Sequence, residues 1–228
     1  MKQNIVTTAW WDELCRGINS LNDFKENELA YLCLTSKPEH VIRDRVALHL
    51  EGNTDSGVKA VSREWTSSHG IGRTDLAVVD ISNGKNTPEL AVEFKVYGFL
   101  EELDRIKPRH KREMLNDIEK LRKMINGRKG IDGQQPVCYF VLVHQTLRDV
   151  VPSNLLGVVK YAGPSNKVLE GAKLSLQEMQ NECNARARCF LECAGVFFGS
   201  GEWVRIDAGE KWGIGVDLDV LIGQVTVA

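Results

Sequence analysis

With 228 residues, 43% of them hydrophobic and 26% charged, the chain has the composition of a folded globular protein and the length for a single domain. A formal net charge of −2 excludes a uniformly basic nucleic-acid binder, though not one whose charge is unevenly spread. No stretch approaches the roughly 20 apolar residues of a membrane span, so no membrane partner is expected. Asp12, Glu13 and Arg16 interrupt any apolar run of a secretory leader. Six cysteines without a CxxC pair argue against a zinc site and a disulfide framework, which points to a reducing cytoplasm.

In chain order, Thr7 or Thr8 can cap a helix through Trp10, Trp11, Leu14 and Ile18, and a second helix is expected over Glu26–Leu34. Ser36-Lys37-Pro38-Glu39 has the form of a capping box opening a third helix to about Leu50, with Ile42, Val46 and Leu50 as one stripe. Val58–Trp65 reads as a strand, and His69-Gly70-Ile71-Gly72 as the turn after it. Two apolar runs follow, Leu76–Val79 and Leu90–Val92. The turn-rich stretch Ser82–Pro88 between them predicts an antiparallel hairpin. Met114, Ile118, Leu121 and Ile125 share a helical face over Arg109–Ile125, and Asn126-Gly127 stops that helix. The run Val137–Val143 predicts a buried central strand, and Leu156–Tyr161 a further short one. Ser175–Glu178 is a second capping box. It opens a helix with Met179, Cys183, Ala187, Phe190, Leu191 and Ala194 on its apolar side, ending at Gly195. Trp203–Ile206 and Ile214–Val227 predict two or three closing strands.

The hairpin carries the residues most suited to chemistry. Asp75 opens its first strand, and Glu93 and Lys95 close the second. Strand alternation puts Glu93 and Lys95 on one side and Phe94 on the other. Antiparallel pairing can bring all three charged groups to one end of the sheet. Two carboxylates and a lysine gathered there suit a hard divalent cation acting on a phosphate. Each has an ordinary alternative: Asp75 can cap a turn, and Glu93 with Lys95 can form an ion pair on a solvated face. Charges that abut buried strands nevertheless need partners or a metal.

Asp75, an interval of 18 residues, and Glu93-Phe94-Lys95 together resemble the signature of the PD-(D/E)XK nuclease superfamily. Thr74 stands where that family has a proline. The resemblance covers about Glu39–Val143 and implies an α/β, restriction-endonuclease-like core: a helix, a three-stranded meander, a crossover helix and a further strand. In this sequence the core would span about 36–161. Residues 1–35 are a helical addition, and 162–228 a C-terminal helix with strands, all within one domain 1–228. It implies a metal-dependent nuclease hydrolysing the phosphodiester bonds of DNA, most simply double-stranded, with Mg²⁺ as cofactor and Mn²⁺ as substitute. Asp75, Glu93 and the Phe94 carbonyl would hold the metal, and Lys95 would act on the attacking water. Glu39 would complete the set, although a helix cap paired with Arg43 explains it equally; Asp44 and Glu51 are weaker candidates. A chain that keeps the fold and binds nucleic acid without cutting is the alternative, and a homodimer is compatible with either.

Lys107–Lys129 holds nine Lys or Arg against three acids, a local charge of +6 that leaves −8 for the remainder. Such a segment can be a merely solvated face. Beside a presumed metal site it suggests a phosphate-binding flank, with Lys111, Arg112 and Lys123 as contacts. His69 and Arg73, in the loop before Asp75, could also touch substrate.

Overall fold

The computed structural model describes residues 9–55, 57–66, 72–82, 86–98, 107–127, 135–160, 162–198 and 203–227. The proposed Thr7 or Thr8 cap, His69, Arg128, Lys129 and Tyr161 lie outside them. The elements are α1 (Ala9–Asn19), a 3₁₀ turn (Ser20–Asp23), α2 (Glu28–Thr35), α3 (Glu39–Asn53), β1 (Lys59–Thr66), β2 (Arg73–Asp80), β3 (Thr87–Gly98), α4 (Pro108–Asn126), β4 (Val137–Leu147), α5 (Ala162–Gly171), α6 (Leu176–Cys193), β5 (Val196–Phe197), β6 (Val204–Lys211) and β7 (Ile214–Val225). Among the described residues no helix is long and apolar enough to cross a membrane.

The fold is mixed α/β on a mostly antiparallel sheet ordered β1-β2-β3-β4-β7-β5, with β6 also paired to β7. β1, β2 and β3 form the expected meander. The α4 crossover makes β4 parallel to β3, since a parallel neighbour needs a long return connection. β4 is buried over almost its whole length because strands lie on both its edges and helices cover both its faces. One core places α1, α2 and α3 against Leu76, Val78, Val92, Phe94 and Val141. The other places the α4 stripe Met114, Ile118, Leu121 and Ile125, with Ala187 and Leu191 of α6, against Ala91, Phe140 and Leu142.

Two local expectations are corrected, and one helix is added. The Ser36–Glu39 box does not form: Ser36 ends α2, its hydroxyl donating to the Leu32 carbonyl at 2.7 Å, and Pro38 precedes α3 with no side-chain cap. Leu156–Tyr161 is not a strand. Over its described residues the amides of Val158 and Val159 close helical turns onto the Leu155 carbonyl, and Leu156 and Val158 stay exposed, so the apolar run never meets a sheet edge. α5 was unread because Gly163 and Pro164 look like breakers, yet Pro is tolerated in a first helical turn. By contrast the Ser175–Glu178 box forms in full.

Candidate active site: a notch between two strands

The β2–β3 ladder ends at Leu76↔Val92. Beyond it β3 continues along β4 as far as Gly98↔Gln145, while β2 continues along β1 to Arg73↔Thr66. The two middle strands therefore part at Asp75 and Glu93 and leave a notch in the sheet. Asp75 bridges its apex, its Oδ2 accepting from the Phe94 amide at 2.8 Å. That side chain supplies the acceptor the interrupted ladder no longer provides.

Strand parity alone misplaces Asp75. Leu76 belongs to the core on the α3 side, whereas Thr74, two residues earlier, donates to the Met124 sulfur of α4 at 3.4 Å. The alternation breaks where Glu64, opposite Asp75, takes φ +55° and the β1–β2 pairing skips one position. A non-glycine residue at such a φ is strained by about 1–3 kcal/mol. Arg43 at 3.0 Å and Arg73 at 2.9 Å hold its carboxylate in place. The irregularity turns Asp75 into the notch rather than onto either sheet face. Arg43 therefore pairs with Asp44 and Glu64, and not with Glu39.

Glu93 is 2% exposed and faces α4. Burial, and then the charge of Asp75, push its carboxyl up to about 8, although Lys120 opposes the shift. Lys120 Nζ lies 2.6 Å from Glu93 Oε1 and donates to the Arg73 carbonyl at 2.8 Å, so it ties β2 to β3 across the notch. Lys95 Nζ pairs with Asp117 of α4 at 2.8 Å. Burial alone would lower the Lys95 pKa, but the Asp117 hydrogen bond and charge, with Glu39 and Asp75, raise it overall. Glu39 at the start of α3 is half-buried. Burial raises its carboxyl; Lys95 lowers it and Asp75 raises it, which puts all three within electrostatic reach of one another.

The notch thus gathers Asp75, Glu93, Lys95 and Glu39, and adds two residues the sequence did not single out for this place, Asp117 and Lys120. Lys120 belongs to the basic segment read as a phosphate-binding flank, yet it turns inward onto Glu93 and the Arg73 carbonyl. Its sequence signal was the i, i+3 spacing of Asp117 and Lys120 beside the apolar stripe, which puts both at the edge of the buried face of α4. Asp44 and Glu51 sit elsewhere: Asp44 also pairs with Arg63 at 3.1 Å, and Glu51 accepts from the Val61 amide.

The chain matches no protein-family model, no curated protein and no solved structure. Among the described residues no group of three or more His, Cys, Asp or Glu is gathered as a metal cluster. The notch offers a smaller set, the Asp75 and Glu93 carboxylates, hard oxygen donors of the kind Mg²⁺ takes with water completing its shell; the Phe94 carbonyl would add a third where the family resemblance holds. Glu93 is buried, and burial with the neighbouring Asp75 charge raises its carboxyl even though Lys120 lies against Oε1, so a further cation between the two carboxylates would relieve the repulsion that Lys120 leaves. On both counts the donor set fits a divalent cation.

On α4, Arg109 pairs with Glu113, and Arg122 is spent on the carbonyls of Ala194 and Thr226. Lys111, Arg112 and Lys123 are exposed, Lys111 lying 5.6 Å above the Phe190 ring. Replacing these three with Gln should weaken DNA binding across sequences and flatten its salt dependence by about 0.9 per lost phosphate contact. Unchanged affinity and slope at low salt would leave this face merely solvated. Arg73 is largely exposed, so a phosphate could compete with Glu64 for its guanidinium.

Proposed function

We propose that the chain is a metal-dependent nuclease that hydrolyses DNA phosphodiester bonds at the β2–β3 notch. The observation that carries this reading is the meeting of Asp75, Glu93, Lys95 and Glu39 where the two strands part. The element order about the notch, with α3 on one side and α4 on the other, supports the resemblance to the PD-(D/E)XK core. Asp75, Glu93 and the Phe94 carbonyl would hold Mg²⁺, which when bound supplies charge for the phosphate and a more acidic water. Lys95 stays protonated at neutral pH because Asp117 reinforces its charge. Its part is to donate a hydrogen bond and offset negative charge building on the phosphoryl oxygens. The half-buried Glu39, with its raised pKa, is the better proton acceptor.

If so, Glu39→Gln should slow cleavage at least about tenfold with little change in melting temperature, because no cap is lost. Full activity in that variant would return Glu39 to a purely local role. Incubation of the chain with supercoiled and linear DNA, in Mg²⁺ or Mn²⁺, tests the reading itself. The expected result is cleavage that needs the ion and stops in EDTA.

One observation favours the alternative, a DNA-binding chain that does not cut. Lys120 and Asp117 already neutralise Glu93 and Lys95 from within the fold. In that case Lys120→Met would leave DNA binding unchanged and confer no ion dependence.

A further inference from the structure

A second polar site lies on the same sheet face, beyond β4. Its floor is the cross-strand pair His144 of β4 and Asp219 of β7, both essentially buried. A fold that needed only packing would place apolar groups beneath α6 here, since buried polar atoms cost free energy unless paired. Instead His144 Nδ1 meets Asn184 Oδ1 of α6 at 2.8 Å, and the imidazole stacks on Trp203 at 4.9 Å. Asp219 Oδ1 accepts from Arg205 Nε at 2.8 Å, while its Oδ2, fully enclosed, has no hydrogen-bond partner. The carboxylate lines a cavity of about 520 Å³ shared with Asn184, Arg188, Trp203 and Arg205.

These features are complementary to one another. An indole backed by a stacked imidazole is a rigid platform for a planar ring. A buried carboxylate oxygen with no donor calls for an N–H from the occupant. Two guanidiniums, on side chains more than a third exposed, stand where an anion can reach them. We propose that the cavity binds one nucleotide unit. An amino-bearing base lies against Trp203 and donates to the Asp219 carboxylate, whose enclosed Oδ2 turns into the cavity to accept, with its phosphate toward Arg188 and Arg205. The site extends the nuclease reading but does not depend on it, because none of its residues belongs to the notch.

Isothermal titration of dAMP, dGMP, dCMP and dTMP into the full chain in EDTA separates the two, since no cleavage can occur. The amino-bearing nucleotides should bind, and dTMP more weakly. Trp203→Ala and Asp219→Asn should each weaken dAMP at least about tenfold. Arg188→Gln, a change in a partly exposed side chain, should weaken dAMP while leaving adenosine unaffected. If mononucleotides fail but a short single strand binds, and loses affinity in Trp203→Ala and Arg188→Gln, the base comes from a polynucleotide and the site stands. If neither probe binds, or binding is indifferent to both substitutions, the cavity is only a packing gap and the proposal is overturned.

Discussion

Asp75→Asn, Glu93→Gln and Lys95→Met should each lower DNA cleavage at least about a thousandfold, within the range for loss of an electrostatic group that acts in the transition state. The two carboxylate changes should also weaken Mn²⁺ binding, whereas Lys95→Met should not. Asparagine is the informative replacement at Asp75. Its side-chain oxygen can still accept from the Phe94 amide, as Asp75 Oδ2 does at 2.8 Å. Asp75→Ala would instead orphan that amide, at a cost of about 1–3 kcal/mol, against which relief of repulsion on Glu93 acts in the opposite direction. Lys95→Met removes the partner of Asp117, so its melting temperature must be read beside its rate. Wild-type cleavage by any one folded variant would remove that residue from the catalytic unit.

Glu93 should also write itself into the pH dependence of stability. Its folded carboxyl titrates at about 8, against about 4.5 when unfolded. Below the unfolded value both states are protonated and Glu93 contributes nothing. As pH rises toward 8 the unfolded state loses this proton first, so Glu93 makes the fold progressively less stable through that window. The loss is on the order of a few kcal/mol, on a group coupled to Lys120 and Asp75. Glu93→Gln should therefore melt on the order of 5 °C higher than wild type near pH 8, and at nearly the wild-type temperature near pH 4. The same window governs the metal, because the cation must displace the Glu93 proton. Affinity should climb with pH up to about 8 and then level off. Lys120→Met removes the main charge holding Glu93 down and should move both transitions upward. Thermal melts of the three chains from pH 4 to 9 check this directly, and parallel curves would contradict it.

The parts of this fold that rest on hydrophobic period were legible in the sequence. The stripe on α4, the buried β4 and the hairpin strands stand where their apolar residues place them, because burial overrides weaker local preferences. Local cap chemistry was half legible. Ser175 caps its helix, but Ser36, in the same kind of pattern, serves the C-terminus of the preceding helix. A capping box does not say which of two abutting helices will use it. At the site, Asp75, Glu93 and Lys95 were found by spacing. The route by which Asp75 enters the notch was not, because it depends on a φ reversal at Glu64 that no residue type announces. Asp117 and Lys120 were hidden for another reason. In a segment dense with charge, nothing local distinguishes a lysine turned inward from one in solvent; the sheet beneath makes that choice. The polar seam under α6 was invisible in the same way, since His144 and Asp219 meet only through β4–β7 register.

If Asp75 and Glu93 hold a cation between them, Mn²⁺ binding measures it most directly. Titration of the full chain at pH 8.5, above the Glu93 transition, should show saturable binding of one or two ions in the absence of DNA. Asp75→Asn and Glu93→Gln should each abolish or strongly weaken it, while a change at Asp44, outside the notch, should not. Binding that survives both carboxylate substitutions, or a wild-type chain that takes up no ion at all, would contradict the account.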